Sequence, residues 1–199
     1  MDPDAVELRV LGALIEKQKT TPDQYPLTLN ALRLACNQLT NRDPVVEYDE
    51  PTIRAALDRL GRRGWTRLAT GPGSRVAKFR QTFDESLSLV PAELALLTVL
   101  MLRGPQTVGE LRTRAERLRQ FDSTDEVEKT LATLSERELV ERRARRPGER
   151  EERWAQLLGD TADAEPADDG AAPVAASDLE ERVAELERAV EELRRRLDG

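Results

Sequence analysis

The chemistry open to this sequence is limited by its lack of histidine and its single cysteine, Cys36. Histidine is the commonest general base and the commonest transition-metal ligand in proteins. One cysteine without histidine cannot build a zinc site within one chain. The sequence also contains no G-x-x-x-x-G-K-[ST] or G-x-G-x-x-G phosphate-binding stretch. We therefore predict that the protein is not an enzyme, with no catalytic residue, no metal site and no cofactor.

Cys36 lies near the end of a dense polar and apolar stretch, EKQKTTPDQYPLTLNALRLACNQ, at residues 16–38. Leu29 and Leu32 precede it at helical spacing, so a buried thiol packed in a helix is the expected interpretation. A nucleophilic thiol is the alternative, although it would have no histidine partner. Tyr25 is expected to anchor the connector on the protein body, and a surface ligand for a partner is its alternative role.

The composition is typical of a helical protein that works in a reducing compartment. Of 199 residues, 39% are hydrophobic and 35% are charged, which favours helices with charged solvent faces. No segment approaches the roughly 18 consecutive apolar residues of a membrane span. The N-terminus lacks the pattern of a signal peptide, and a lone cysteine suits the cytoplasm. We predict a cytoplasmic protein without membrane contact.

The net charge of −7 is unevenly distributed along the chain. Residues 1–158 contain 26 Lys and Arg against 25 Asp and Glu, a balance of +1. Residues 159–199 contain 5 against 13, a balance of −8. The body is therefore nearly neutral, and the acidity belongs to the tail.

Two halves of the chain repeat one plan: three helical stretches, then two strand-like stretches around a Gly-containing turn. Pro26-Leu27-Thr28 matches Pro105-Gln106-Thr107, and Phe79 matches Trp154. Three helices followed by a hairpin is the winged-helix plan, whose second and third helices form a helix-turn-helix. We predict a mainly α fold with small β-hairpin wings, in the α+β class. Residues 1–85 would form the first winged-helix domain and residues 86–158 the second.

The tail divides into two predicted segments. Residues 159–177 are small, acidic and proline-containing, which indicates a flexible linker. Residues 178–199 carry a heptad seam typical of a coiled coil. Its members are Leu179, Val183, Leu186, Val190, Leu193 and Leu197. A helix this short is marginal alone, so we predict a homodimer through this coil. The alternative is an amphipathic helix that packs on the body.

The stretches LIEKQKTTPDQYPLTLNALRLACNQLTNRDPV and RRPGEREERWAQLL resemble signatures of the YceH-like bacterial proteins. GSRVAKFRQTF and LRGPQTVGELRTRAERL are similar to that family too, so the resemblance covers about residues 5–158. It implies a tandem winged-helix fold, often with a C-terminal coil, and no established activity or cofactor. One difference stands out, because Gln156 occupies a position where family members often have histidine.

A winged helix usually places its third helix in a DNA groove and its wing on phosphate. The candidate phosphate contacts of the first half are Arg54, Arg59, Arg62, Arg63, Arg75 and Lys78. Those of the second half are Arg142, Arg143, Arg145 and Arg146. An arginine-rich solvated face is the alternative interpretation in the first half. The third helix of the second half, STDEVEKTLATLSERE, is acidic and would be repelled by phosphate.

These observations predict a dimeric partner of double-stranded DNA, either a transcriptional regulator or a chromosome-associated factor. The alternative is a structural adaptor whose winged helices contact other proteins. The nearly neutral body and the acidic third helix of the second half favour the adaptor. Steep loss of DNA affinity with salt would distinguish the two.

Overall fold

The computed structural model describes residues 2–69, 76–145 and 151–159 of the chain. All of them belong to one compact unit, residues 1–162. The predicted linker, 159–177, except for Gly159, and the predicted coiled coil, 178–199, lie outside the described residues. The turns between the strands of the two predicted hairpins, residues 70–75 and 146–150, lie outside them as well.

The first half begins with helix α1, Ala5–Thr20, and a 3-10 turn, Pro22–Gln24. A short strand β1 and helices α2 and α3 follow, and strands β2 and β3 close the half. Their bounds are β1 Leu27–Thr28, α2 Leu29–Cys36, α3 Glu50–Arg62, β2 Thr66–Leu68 and β3 Lys78–Gln81. The strands form an antiparallel sheet in the order β1-β3-β2.

Helix α4, Phe83–Leu87, joins the halves, and the predicted boundary between residues 85 and 86 falls within it. The second half repeats the order with three helices and two antiparallel strands. Their bounds are α5 Pro91–Arg103, α6 Val108–Ala115, α7 Thr124–Glu136, β4 Val140–Arg143 and β5 Arg153–Gln156. Gln106 forms a further antiparallel bridge with Trp154 beside this pair.

Side-chain caps at equivalent sites explain where the helices start. Thr28 accepts a hydrogen bond from the Ala31 amide at the start of α2, and Thr107 accepts one from Glu110 at the start of α6. Asp49 caps α3 in the same manner. Each cap satisfies a backbone N–H that has no partner inside the helix.

The two halves share one hydrophobic core. Helix α5 is buried from Glu93 to Leu102 and packs directly against α1. The helices approach so closely at Gly12 that an added Cβ would lie 2.9 Å from the Leu102 side chain. A long apolar helix without a polar face is stable in water only when neighbours cover it on all sides. The apolar run of α5 is therefore explained by its central place in the core.

The matched positions of the two halves occupy the same places in their sheets. Leu27 lies opposite Phe79 in the first half, as Gln106 lies opposite Trp154 in the second. The predicted class is confirmed at the coarse level, because the described ranges contain seven α-helices and two small antiparallel sheets. No helix among the described residues is long and apolar enough to cross a membrane.

Candidate nucleic-acid interface

Positive charge is concentrated on the sheet of the first half, where one of three neighbouring cations has a carboxylate partner. The β2–β3 register places Arg67 directly opposite Arg80. Lys78 precedes Arg80 by two residues, and side chains two apart on a strand point to the same face. We call Arg67, Lys78 and Arg80 the basic sheet face. Arg67 and Lys78 are exposed, and Arg80 contacts Glu85 at 3.2 Å.

Helix α3 contributes two of the predicted contacts to solvent. Arg54 and Arg62 are exposed and form no ion pair with a described residue. Glu50 and Asp58 share their face at four-residue spacing, so the solvent side of α3 alternates in sign. The acids precede the bases in the order that the helix dipole prefers. This face is therefore weakly basic only toward its C-terminal end.

Two other predicted contacts of α3 are directed into the protein. Arg59 pairs with Asp4 at 2.7 Å and with Glu7 at 3.2 Å. Arg63 pairs with Glu7 at 3.5 Å, and its guanidinium lies 5.7 Å from the Trp65 ring centroid. These contacts fix α3 to the start of α1. Both arginines would have to leave a carboxylate to reach a phosphate.

The arginines of the second hairpin are largely neutralised by nearby carboxylates. Arg142 contacts Glu152 at 2.5 Å, and Arg143 contacts Glu141 at 2.9 Å. Arg145 is exposed and has no ion pair with a described residue. Arg75 and Arg146 of the predicted set lie outside the described residues, as do the heptad positions. The structure therefore does not bring the ten predicted basic residues together on one free surface.

The second half exposes acidic groups where a recognition helix would face DNA. Asp125, Glu128 and Glu136 of α7 are exposed, whereas Lys129 is the one exposed cation on that helix. A cleft of about 620 Å³ lies between the starts of α6 and α7 and the hairpin. Glu128 and Glu151 line it together with Arg145 and Trp154, so its lining has no excess of positive charge.

Burial explains the roles of Cys36 and Tyr25, the two other residues for which the sequence left a chemical or binding role open. Burial raises the pKa of the Cys36 thiol to about 12, so Cys36 is a packed thiol as expected. Burial likewise raises the pKa of Tyr25 to about 12, and the Tyr25 hydroxyl accepts a 2.6 Å hydrogen bond from the backbone N–H of Gln81. Tyr25 therefore anchors the connector, as predicted. Among the described residues, no group of histidine, cysteine, aspartate and glutamate could hold a metal ion.

Two buried arginines were missed by sequence reasoning. Arg9 is 4% exposed and donates to the Cys36 and Pro44 carbonyls at 3.3 and 2.7 Å. Arg42 is 6% exposed and donates to the Ala35 carbonyl and to Glu16. Burial and the neighbouring charge of Arg42 lower the pKa of Arg9. The sequence does contain a feature that indicates burial of Arg9, because Arg9 lies inside the apolar run of the first helix. No comparable feature marks Arg42.

The described residues thus define an α+β protein built from two similar halves around one core. The chain matches the family model described as "Protein of unknown function, DUF480" over residues 4–149. It is 52% identical to a UPF0502 protein of Solibacter usitatus, covering 98% of each chain. It is 48% identical to one from Pectobacterium carotovorum, covering 98% of this chain and 95% of the relative.

The chain is also 47% identical to the UPF0502 protein YceH of Escherichia fergusonii, covering 98% of this chain and 94% of the relative. It therefore belongs to the DUF480, or UPF0502, family, which confirms the YceH-like resemblance. Gln156, which differs from the residue that the resemblance led us to expect, is buried and accepts a 2.6 Å hydrogen bond from the Leu158 amide. A neutral side chain at this position satisfies a backbone donor.

Proposed function

We propose that the protein is a non-enzymatic, cytoplasmic, DNA-associated protein of tandem winged-helix architecture. It would act as a transcriptional regulator or chromosome-associated factor, dimeric through residues 178–199. The architecture is supported by the repeated order of three helices and two antiparallel strands. It is also supported by the equivalent sheet partners Leu27–Phe79 and Gln106–Trp154. Winged helices commonly contact DNA through the third helix and the wing.

The observation that carries the DNA proposal is the basic sheet face. Like charges directly opposite each other on antiparallel strands are destabilising by up to about 1 kcal/mol. The Arg67–Arg80 pair retains that arrangement with Glu85 as a partner for Arg80 alone, and Lys78 adds a third cation. A phosphate backbone would relieve this repulsion because its own charge is negative, and each contact would also release a condensed counterion. Arg54 and Arg62 of α3 supply further contacts from the same half.

The proposal predicts weak, sequence-tolerant binding in which the first half dominates. Arg142 and Arg143 already have carboxylate partners, so the second hairpin contributes less. With about four phosphates neutralised, log K should fall with log salt at a slope of about −3.6. Base readout would need side chains that reach base edges, and α3 presents as many acids as bases on its solvent face.

The test is fluorescence anisotropy of a labelled mixed-sequence duplex titrated with the full chain at low and near-physiological salt. The first variant is Arg54→Ala/Arg62→Ala/Lys78→Ala. Its matched control, Lys19→Ala/Arg117→Ala/Lys129→Ala, removes the same charge from exposed positions elsewhere. We expect the first variant to lose about tenfold more affinity than the control. Equal losses, or no binding by the wild type at low salt, would refute the interface.

The second candidate function is a protein–protein adaptor, and α7 is the observation that favours it. Its solvent face presents Asp125, Glu128 and Glu136 against one lysine, a pattern that repels DNA and suits a basic protein surface. Reversing the charge of α7 with Glu128→Lys/Glu136→Lys distinguishes the DNA-binding function from the adaptor function. It should strengthen DNA binding if α7 lies near DNA, and leave DNA binding unchanged but abolish complex formation if α7 serves a protein partner.

The dimer is tested independently of DNA. Leu186→Asp/Leu193→Asp places carboxylates in the predicted heptad seam, which a coiled coil cannot bury without a large cost. Sedimentation equilibrium should report a dimer for the wild type and a monomer for this variant. A wild-type monomer would remove the coil from the proposal, and an unchanged dimer would place the contact elsewhere.

A further inference from the structure

The longest strand-free connection between two helices in the described residues joins α2 to α3 through the thirteen residues 37–49. We call it the α2–α3 loop. It contains neither helix nor strand, and the structure describes all of it. Connections of this length without secondary structure are uncommon in compact units and are usually functional. A helix-turn-helix requires only three or four residues at this point.

Polar anchors hold the α2–α3 loop at both ends and in the middle. The Arg9 guanidinium joins the Cys36 carbonyl to the Pro44 carbonyl. The side-chain amide of Asn37 accepts a hydrogen bond from the backbone N–H of Tyr48 at 2.9 Å and donates one to the Tyr48 carbonyl at 2.8 Å. The backbone N–H of Asp43 donates a hydrogen bond to the Leu102 carbonyl of α5 at 2.9 Å. A surface ordered in advance loses little entropy when a partner binds.

This ordered loop exposes apolar and acidic side chains together. Leu39 is 81% exposed and Val45 is 53% exposed, and Leu34 on the last turns of α2 is 55% exposed. Asp43, Glu47 and Glu50 are exposed and have no ion pair with a described residue. Arg103 of α5 donates a hydrogen bond to Asn41 and is a cation beside the same loop. Exposed apolar residues rimmed by polar and charged groups are typical of protein contact sites.

We propose that the α2–α3 loop is a docking surface for a second copy of this chain, which presents its basic sheet face. The two surfaces are complementary in charge. Arg67 and Lys78 on the sheet would meet Glu47 of the loop and Glu50, the first residue of α3. Leu68 follows Arg67 on β2 and therefore points to the opposite face of the sheet; at 61% exposed it lies at the edge of the contact and serves as a proximity marker for it. Complementary potentials of this kind set orientation and partner choice more than they set affinity.

The charge balance of the body is consistent with a self-contact. Residues 1–158 have a net charge of +1, so two copies approach without strong overall repulsion. The contact is heterologous, because it joins the loop of one copy to the sheet of the other. It closes as a symmetric pair if both loops are engaged, and otherwise it leaves one loop and one sheet free to extend the assembly.

The inference does not depend on DNA binding, although the two would compete. The basic sheet face cannot contact phosphate and the loop of another copy at the same time. Duplex DNA should therefore reduce the self-contact if both proposals hold. The self-contact is measured without DNA, so its failure is separate from a failure of the DNA proposal.

The experiment is cross-linking between two differently tagged full-length proteins with a short bismaleimide. One carries Leu39→Cys, and the other carries Leu68→Cys or, as the matched control, Leu157→Cys. Leu157 is also exposed, at 45%, and lies in the second half. The native Cys36 is fully buried and does not compete for the reagent. We expect the 39–68 product to exceed the 39–157 product about fivefold at low salt and to decline with salt.

Charge reversal then tests the complementarity itself. Glu47→Arg/Glu50→Arg on the Leu39→Cys chain should reduce the 39–68 yield about fivefold, the loss expected for two exposed ion pairs. Arg67→Glu/Lys78→Glu on the other chain should do the same, and the two reversed chains together should recover the yield. Glu128→Arg/Glu136→Arg on the Leu39→Cys chain makes the same charge change on α7 and should have no effect. Equal yields at Leu68 and Leu157, or no recovery on combining the reversals, would overturn the proposal.

Discussion

Arg137, the residue directly after α7, contacts Glu93 in the first turn of α5 at 3.0 Å. The first half repeats this relationship, because Arg63 directly follows α3 and contacts Glu7 in the first turn of α1 at 3.5 Å. Both glutamates are almost fully buried. Each half therefore fastens the end of its third helix to the start of its first through one buried carboxylate.

Replacing the buried carboxylate should destabilise the protein. Glu93 also accepts a hydrogen bond from the Val90 amide at the start of α5. Glu93→Ala removes both interactions, and we expect the free energy of unfolding to fall by about 1–3 kcal/mol in urea denaturation. Glu136→Ala, at an exposed position of α7 without an ion pair to a described residue, should change it by less than about 0.5 kcal/mol. Equal effects would show that the Glu93 contacts contribute nothing.

The buried Arg42 should be among the least replaceable charges of the protein. Its side chain is fully buried and contacts Glu16 at 2.6 Å. Arg42→Met leaves that carboxylate and the Ala35 carbonyl without their donor, so we expect a loss of about 3–5 kcal/mol by urea denaturation. Arg33→Met, which removes an exposed contact to Asn30, is the control and should cost under about 1 kcal/mol. A small loss at Arg42 would contradict the assigned network.

The same pair predicts an acid-sensitive contribution to stability. Burial alone would raise the pKa of Glu16, but the hydrogen bond and charge of Arg42 outweigh it and hold the pKa below its ordinary value of 4.5. A depressed folded-state pKa adds stability above the ordinary value, and this stability is lost as the pH falls through the folded-state pKa. The difference in unfolding free energy between wild type and Glu16→Gln should therefore shrink below about pH 4.5. A constant difference down to about pH 3 would contradict this.

The close approach of α1 and α5 predicts an unusual response to alanine. Replacing a glycine by alanine in a helix interior normally stabilises the helix by up to about 1 kcal/mol. At Gly12, however, the added Cβ would lie 2.9 Å from the Leu102 side chain. We expect Gly12→Ala to lower the melting temperature, since overpacking costs about 1–3 kcal/mol. Gly61→Ala in α3, where an added Cβ would lie 3.9 Å from the Thr66 hydroxyl, should raise it instead. The opposite signs make this pair of variants informative.

The thiol of Cys36 should be inert in the folded protein. Its pKa is raised to about 12 by burial, and a thiol reagent needs an accessible thiolate. We expect no reaction with Ellman's reagent under native conditions and one equivalent in strong denaturant. Leu39→Cys adds a second thiol at an exposed position and should give one rapid equivalent without denaturant. Rapid modification of the wild type would place Cys36 at the surface.

The sequence alone determined the features that depend on local pattern. Helical spacing and the repeated turn chemistry predicted two similar halves of the α+β class. The sequence matched Leu27 with Gln106 and Phe79 with Trp154, and the structure pairs Leu27 with Phe79 as it pairs Gln106 with Trp154. The absence of histidine and the apolar setting of Cys36 predicted a packed thiol. These properties follow from neighbours within a few residues, so periodicity and residue type are sufficient to infer them.

The tertiary structure decided which charged residues are available. Arg59 is as basic in the sequence as Arg62, yet it pairs with Asp4, which lies 55 positions away, while Arg62 remains exposed. Arg42 is an ordinary loop arginine in the sequence, yet the fold buries it against Glu16, 26 positions away. Electrostatic energy depends on distance in space and on burial, and neither is set by local sequence. The candidate surfaces are thus consequences of packing between distant segments.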